Sequence, residues 1–336
     1  MSQGKILPRQ ICALCFCAMG PAAVVLLPKS GWLPALIMSA LAAAAVALLL
    51  VLRRKCGGGL AEVYVNSWGE LPGKTLLAME LLWSLLLLGV FARLLCSAYP
   101  QGNAFPFVGL IMLLLAAYAA KKGASAVVRV GAVCFFFLLL IFGLVLAFSA
   151  VRVEPRWLRP TLEYMDWRVF PLLLAPVCAL FFADKCEGAK GKVHWWIIGT
   201  VAITVLCALV TIGSVSPPVA ADDDFPFYMM TKSISVFGAM ERFEAVVSAA
   251  LTAGGFCLMG MLCMANARKL HRLFPKANEK SAASVNLVAG AAALWLSFRI
   301  SATWIAAGTA IFWGILPLLT LLVGVQKKSK FFEKKS

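Results

Sequence analysis

Charge is what this chain has least of. Only 14% of its 336 residues are Asp, Glu, Lys or Arg, where a soluble domain carries about 25%. With 62% hydrophobic residues, that shortage excludes a soluble globular protein of this size. Histidine is almost missing. His194 and His271 sit at expected helix ends, and neither has a plausible nucleophile or metal partner inside a membrane. Gly57-Gly58-Gly59 lacks the Lys-Ser/Thr of a phosphate loop. The sequence offers no catalytic constellation and no cofactor, and it reads as a non-enzyme. Long polar stretches are lacking too. The longest connections run to about twenty residues, too short to hold a soluble domain.

What is present is a series of apolar runs. About 20 helical residues cross the hydrocarbon core. Ten candidate spans follow: roughly 10–28, 33–52, 75–97, 104–120, 127–151, 168–184, 194–215, 241–266, 282–298 and 304–325. Acidic residues are few, 15 against 31 Lys and Arg, which leaves a net charge of +16. A nucleic-acid partner is excluded by where those cations lie. They concentrate in alternate connections, around Arg53-Arg54-Lys55, Lys121-Lys122, Lys185–Lys192, Arg268–Lys280 and Lys327–Lys335. By the positive-inside rule, both termini face the cytoplasm. The basic tail, 326–336, rests on anionic headgroups. Lys5 and Arg9 could head a signal peptide, but no small-x-small cleavage site precedes a soluble domain, so the first run is expected to remain a span.

Of the 11 cysteines, all but Cys56 fall in or at the ends of spans, where cysteine behaves as a small apolar residue. CALCFC (Cys12, Cys15, Cys17) resembles a metal motif only superficially, because no second pair completes a four-ligand set.

The first span contains Gly20-Pro21. A proline inside a helix removes a donor and clashes with the preceding turn, at about 3 kcal/mol. In hydrocarbon the freed carbonyl also lacks water. Many transporters consist of two inverted repeats with a discontinuous helix at the same place in each half. The sixth span, RVFPLLLAPVCALFFAD, carries Pro171 and Pro176. The expectation is one transmembrane domain over 1–336. Its two repeats are 1–151 and 168–325, with breaks in the first and sixth helices. Pro317 and Pro34 run against this pattern.

Three connections have character of their own. GGGLAEVYVNSWGELPGK places Leu60, Val63 and Trp68 on one face of a short amphipathic helix, with Val65 less well placed. RVEPRWLRPTLEYMDW mixes charges and aromatics as interfacial segments do. Asp222-Asp223-Asp224 reads as a solvated loop rather than a cation site.

Several stretches together resemble the spore germination permeases, the B subunits of spore germinant receptors, in the amino acid–polyamine–organocation superfamily. These are PRQICALCFCAMG…LLP with Gly20 and Pro28, AAYAAKKG…R from Ala116 to Arg129, and FPFYMM…SISVFGAMERFEA…GGF. The last holds Pro226, Ile234-Ser235-Val236, Glu241-Arg242 and Gly254-Gly255-Phe256. Arg93 fits a family arginine. The chain departs from the family in lacking an acid in the sixth span and a tryptophan before Gly254.

The resemblance implies a ten-helix, leucine-transporter-type fold. It also implies a sensor in the inner membrane of a spore that binds a small germinant, often an amino acid. Its partners would be a larger A subunit and a lipoprotein C subunit. Unwinding at Gly20-Pro21 would expose amides and a positive helix end to a carboxylate. The expected pocket is Met19, Gly20, Pro21 and Ala22 facing Leu174, Ala175, Pro176 and Val177. It would suit a small or apolar ligand.

Arg93, one turn from the outer end of its span, either snorkels or pairs with Glu241 or Glu244 as a gate. Glu241, Arg242 and Glu244 open span eight, where acids favour the helix dipole. They are alternatively a contact for the gate or for a partner subunit. Glu80, two turns into span three, is expected to pair with a cytoplasmic Lys or Arg, with proton coupling as the alternative. The rival readings are an amino-acid or polyamine transporter with alternating access, and a structural subunit without a ligand.

Overall fold

The computed structural model describes residues 6–97, 105–182, 195–223, 225–234 and 243–333. Among these every regular element is a helix. In order it runs α1 (Pro8–Leu26), α2 (Trp32–Cys56), α3 (Leu60–Trp68), α4 (Glu70–Ser97), α5 (Phe105–Lys121) and α6 (Ala124–Ala150). A 3₁₀ helix (Phe170–Phe181) follows, then α7 (Trp195–Val215), α8 (Pro217–Asp222), α9 (Pro226–Lys232), α10 (Phe243–Leu273) and α11 (Glu279–Ser297). The last rod is α12 (Ala302–Thr309), a π-helical stretch (Ala310–Ile315) and α13 (Leu316–Glu333). A helical segment occupies each of the ten apolar runs, and seven helices are long and apolar enough to cross a membrane. Of the other three, α5 and the 3₁₀ helix are shorter, and α11 begins with the polar run Glu279-Lys280-Ser281.

The first expected break is not there. α1 is one continuous helix through Pro21. Pro21 leaves the carbonyl of Cys17 without its intrahelical donor. The neighbouring helix covers the defect. A Cβ at Gly254 of α10 would lie 2.9 Å from the Cys17 oxygen and 2.1 Å from Pro21 Cγ. Only a residue without a side chain lets α10 seat itself on the proline and its orphaned carbonyl. The next residue does the same towards α4, for a Cβ at Gly255 would meet Leu95 Cδ1 at 2.1 Å. The Gly254-Gly255 pair is thus a close-packing device of the kind that drives helix association in lipid.

The sixth span also differs from expectation. It is not split into two half-helices but wound as a single 12-residue 3₁₀ helix. Such runs seldom exceed 3–4 residues. Here Pro176 removes a donor that an α-helix would use, while Pro171 sits in the first turn, where no donor is needed. The tighter winding rises about 2.0 Å per residue, so the segment reaches about 24 Å, against about 18 Å as an α-helix. A short apolar run thereby covers most of the hydrocarbon thickness. Every residue from Pro171 to Phe181 is buried, between α1, α2, α10 and the last rod. That burial on all faces is why LLLAPVCALFF carries no polar residue.

α3 is a separate short helix as expected, but it is docked against α4 and α13 rather than lying free. Leu60, Val63 and Val65 are buried, while Trp68 stands at the rim and donates its indole N–H to Thr320 Oγ1 at 3.0 Å. At the opposite end of the bundle, the 152–169 connection is tied down. Trp32 Nε1 donates to the Leu158 carbonyl at 3.0 Å, and the Arg152 guanidinium donates to the Ser233 carbonyl. Asp166 and Arg168 pair at 2.8 Å, which holds the Asp166 carboxyl below the usual carboxylate range. Asp223 accepts the Phe225 amide at 2.7 Å, so it forms a turn; Asp224 lies outside the described residues.

Candidate functional site

α1, α4, the 3₁₀ helix and α10 make the centre of the bundle. Two features there are unlike ordinary apolar packing.

The first is a small cavity of about 30 Å³ between α1, α4 and α10. Its α1 wall is Ala18, Pro21 and Ala22, its α4 wall includes Phe91 and Leu95, and Gly255 belongs to its α10 wall. Positions 18, 21, 22 and 25 recur at helical spacing, so a single stripe of α1 faces it. The lining is almost wholly apolar, and the space would hold about two water-sized groups. Phe91 also stacks on Trp313 of the π-helical stretch, with ring centroids 6.2 Å apart. One turn away on α12, Gly308 has no room for a Cβ, which would meet the Trp83 ring at 2.2 Å. Trp83 in turn stacks on Phe312 at 5.5 Å and donates to Thr309 Oγ1. The cavity wall is therefore coupled by ring contacts to the one π-helical stretch among the described residues, and π segments recur at functional sites.

The structure divides the expected pocket. Pro21 and Ala22 line the cavity. Met19 and Gly20 lie on other faces of α1, both buried. At Gly20 a Cβ would meet nothing nearer than the Phe16 ring at 4.0 Å, so this glycine is loosely packed. Leu174, Ala175, Pro176 and Val177 are buried in the 3₁₀ helix, which touches α1 but contributes nothing to the cavity. Leu174 instead faces Gly314 of the last rod, 3.5 Å from where a Cβ would sit.

The second feature is a buried charge pair nearer the basic end of the bundle. Glu80 of α4 and Lys269 of α10 are both 0% exposed, with Lys269 Nζ 3.4 Å from Glu80 Oε1. The ammonium also donates to Ser84 Oγ at 2.5 Å and stands 4.4 Å from the centre of the Phe181 ring. That places it under the quadrupole of an aromatic face, an attraction that grows when the cation is desolvated. Tyr64 of α3 is also fully buried. Its hydroxyl is the neutral polar group that faces the Glu80 carboxylate. One turn further into α10, Asn266 donates to Asn286 of α11 at 2.9 Å. Ions removed from water cost several kcal/mol each, and intramembrane charges concentrate on functional pathways. The pair lies about 16 Å along α10 from the Leu258 wall of the cavity.

The sequence reading assigned Glu80 a cytoplasmic cation but placed Lys269 among the exposed charges of a loop. α10 runs on to Leu273, which carries Lys269 inside. The signal was present in the spacing: Leu258, Leu262, Ala265 and Lys269 continue one buried stripe.

Arg93 donates to the Ser297 carbonyl at the end of α11 and lies over the Phe298 ring at 4.7 Å. A cation there satisfies an orphaned carbonyl and the negative helix end. Its guanidinium is held by α11, and it forms no ion pair with Glu244. Glu244 is half-buried in the first turn of α10, while Glu241 and Arg242 lie outside the described residues.

Comparison with curated proteins finds none that matches. A family model described as spore germination protein matches residues 12–302, which takes in the cavity, the charge pair and the Gly254-Gly255 contact. The chain therefore belongs to the spore permease family of spore germination proteins.

Proposed function

We propose that this chain is the membrane subunit of a germinant receptor. It binds a small germinant, of amino-acid type, beside Pro21, and passes the binding event to partner subunits. The family match carries the germination assignment. In this reading the basic end faces the cytoplasm of the dormant spore, and the chain crosses the inner membrane ten times.

The neighbour relations support a five-plus-five inverted repeat. α1 packs on α7 as the 3₁₀ helix packs on α2. α1 packs on α6 as the 3₁₀ helix packs on the last rod, and α4 packs on α11 as α10 packs on α5. Each pair maps onto the other by a shift of five spans, as inverted repeats require.

The cavity sets the mechanism. At about 30 Å³ it is too small for any amino acid as it stands. Binding must part α10 from α1 and α4, where the Gly254-Gly255 contact now holds them. A ligand that binds only the parted arrangement shifts the population towards it. The Phe91–Trp313 stack carries that displacement to the last rod. The proline-freed carbonyl of Cys17 would become available to a ligand ammonium once Gly254 moves off it.

The decisive test is germination of spores whose chain carries Ala22→Trp, challenged with a panel of amino acids. The expected result is loss of response to one class, with normal amounts of protein in the membrane. An unchanged response across the panel refutes the site. The buried Glu80–Lys269 pair favours a second reading, a coupled transporter of amino acids or polyamines, because such charges mark ion pathways. Uptake of labelled solute into proteoliposomes, abolished by the same substitution, would decide for it.

A further inference from the structure

A larger cavity lies at the basic end, apart from both features above. It has a volume of about 110 Å³ and sits where the α5–α6 joint meets α10 and α11. Three cationic or potentially cationic side chains line it: Lys121 at the end of α5, and Arg268 and His271 on the last turns of α10. Among the described residues none of the three side chains has a hydrogen-bond or ion-pair partner. Arg268 and His271 are half-buried, so their charge is turned towards the cavity wall rather than spread in open solvent. A single carboxylate, Glu279, stands at the rim, exposed and likewise unpaired.

The backbone adds to the positive side. α6 starts at this wall, with Gly123 before it at φ 97° and no side chain capping its first amides. Positive φ explains why residue 123 is glycine, and a glycine N-cap leaves the Ala124 and Ser125 N–H groups and the positive end of the dipole without a side-chain cap. α11 differs, since Asn278 already accepts the Ser281 amide at 2.8 Å. At the back of the cavity Asn286 is satisfied by Asn266, Cys263 and Ala282, so it is structural.

We infer that this cavity binds a phosphate group. A guanidinium fork, an ammonium, an imidazole and an open helix start converge on a space the size of one tetrahedral anion with its first waters. Basic pockets between membrane helices on the cytoplasmic side hold lipid headgroups. The phosphate comes either from an anionic lipid or from a free anion, and one experiment separates the two. The site is distinct from the cavity beside Pro21, so its failure leaves the sensor reading untouched.

The full chain is reconstituted in nanodiscs of phosphatidylcholine alone or with added phosphatidylglycerol. Its thermal midpoint is followed as inorganic phosphate is titrated, against chloride at matched ionic strength. A rise with phosphatidylglycerol only identifies a lipid headgroup, and a rise with phosphate in phosphatidylcholine discs identifies a free anion. Either rise should weaken about tenfold in apparent affinity for each side chain removed in Arg268→Gln and His271→Gln. It should be unchanged in Arg272→Gln, on the same helix outside the cavity. Glu279→Gln, which deletes the opposing carboxylate, should tighten binding, a gain that misfolding cannot imitate. No rise in either disc overturns the inference, as does a rise indifferent to residues 268, 271 and 279.

Discussion

Removing one member of the Glu80–Lys269 pair should cost far more than removing both. At 3.4 Å and an effective dielectric of about 20, the attraction between unit charges is about 5 kcal/mol. Lys269→Met leaves the fully buried Glu80 carboxylate with no counter-charge and only the neutral Tyr64 hydroxyl beside it. Losing one partner of such a pair costs about 3–5 kcal/mol. Glu80→Gln strands the ammonium, though Ser84 and the Phe181 ring still hold it, so its penalty should be the smaller. The double variant Glu80→Gln/Lys269→Met buries no charge and fills a similar volume. Its stability should return to within about 1 kcal/mol of the parent, or exceed it. The assay is the thermal midpoint of the purified chain in detergent, followed by tryptophan fluorescence. The single lysine variant should fall by about 5–10 °C and the double variant should recover. If the double variant is as unstable as the sum of the singles, the two residues do not interact as charges. If Glu80→Gln alone is silent, Glu80 is already neutral. Either result refutes the ion pair. A germination assay on the double variant separates structure from function, since stable protein with no response would give the charges a signalling role.

Gly254 of α10 and Gly20 of α1 should behave oppositely. Gly254→Ala drives a methyl group into Pro21 and the Cys17 carbonyl and should destabilise by about 1–3 kcal/mol or more. Gly20→Ala has room and should gain up to about 1 kcal/mol of helix propensity; a thermal-shift series reads both. Pro21→Ala restores the donor to Cys17 and should stabilise α1, yet if the ligand needs that carbonyl, germination should be lost, as spore optical density would record. Gly308→Ala should disturb the Trp83 stack, visible as a change in tryptophan emission as well as a lower midpoint.

The sequence reached the membrane helices, their order and the family, because apolar runs of about 20 residues and their charged connections are local properties that lipid enforces one span at a time. Of the eight residues it expected around a ligand, Pro21 and Ala22 line the cavity, and the acid it set inside span three, Glu80, is buried. It expected a broken first helix because proline was weighed against α1 alone. Whether the defect opens or is covered depends on Gly254, far along the chain, and on how closely α10 can approach. The same holds for Lys269, whose charge looks like a loop signal until α10 is seen to carry it between Glu80, Ser84 and Phe181.

Local chemistry thus determined which segments are helical and buried in lipid. Tertiary packing alone decided that α1 stays whole, that the sixth span winds as a 3₁₀ helix, and that Leu174 packs on the last rod while Leu174–Val177 stay out of the cavity lining. The reason is physical: a helix defect or a buried charge is settled by whichever atoms come within a few ångströms of it, and those atoms belong to distant parts of the chain.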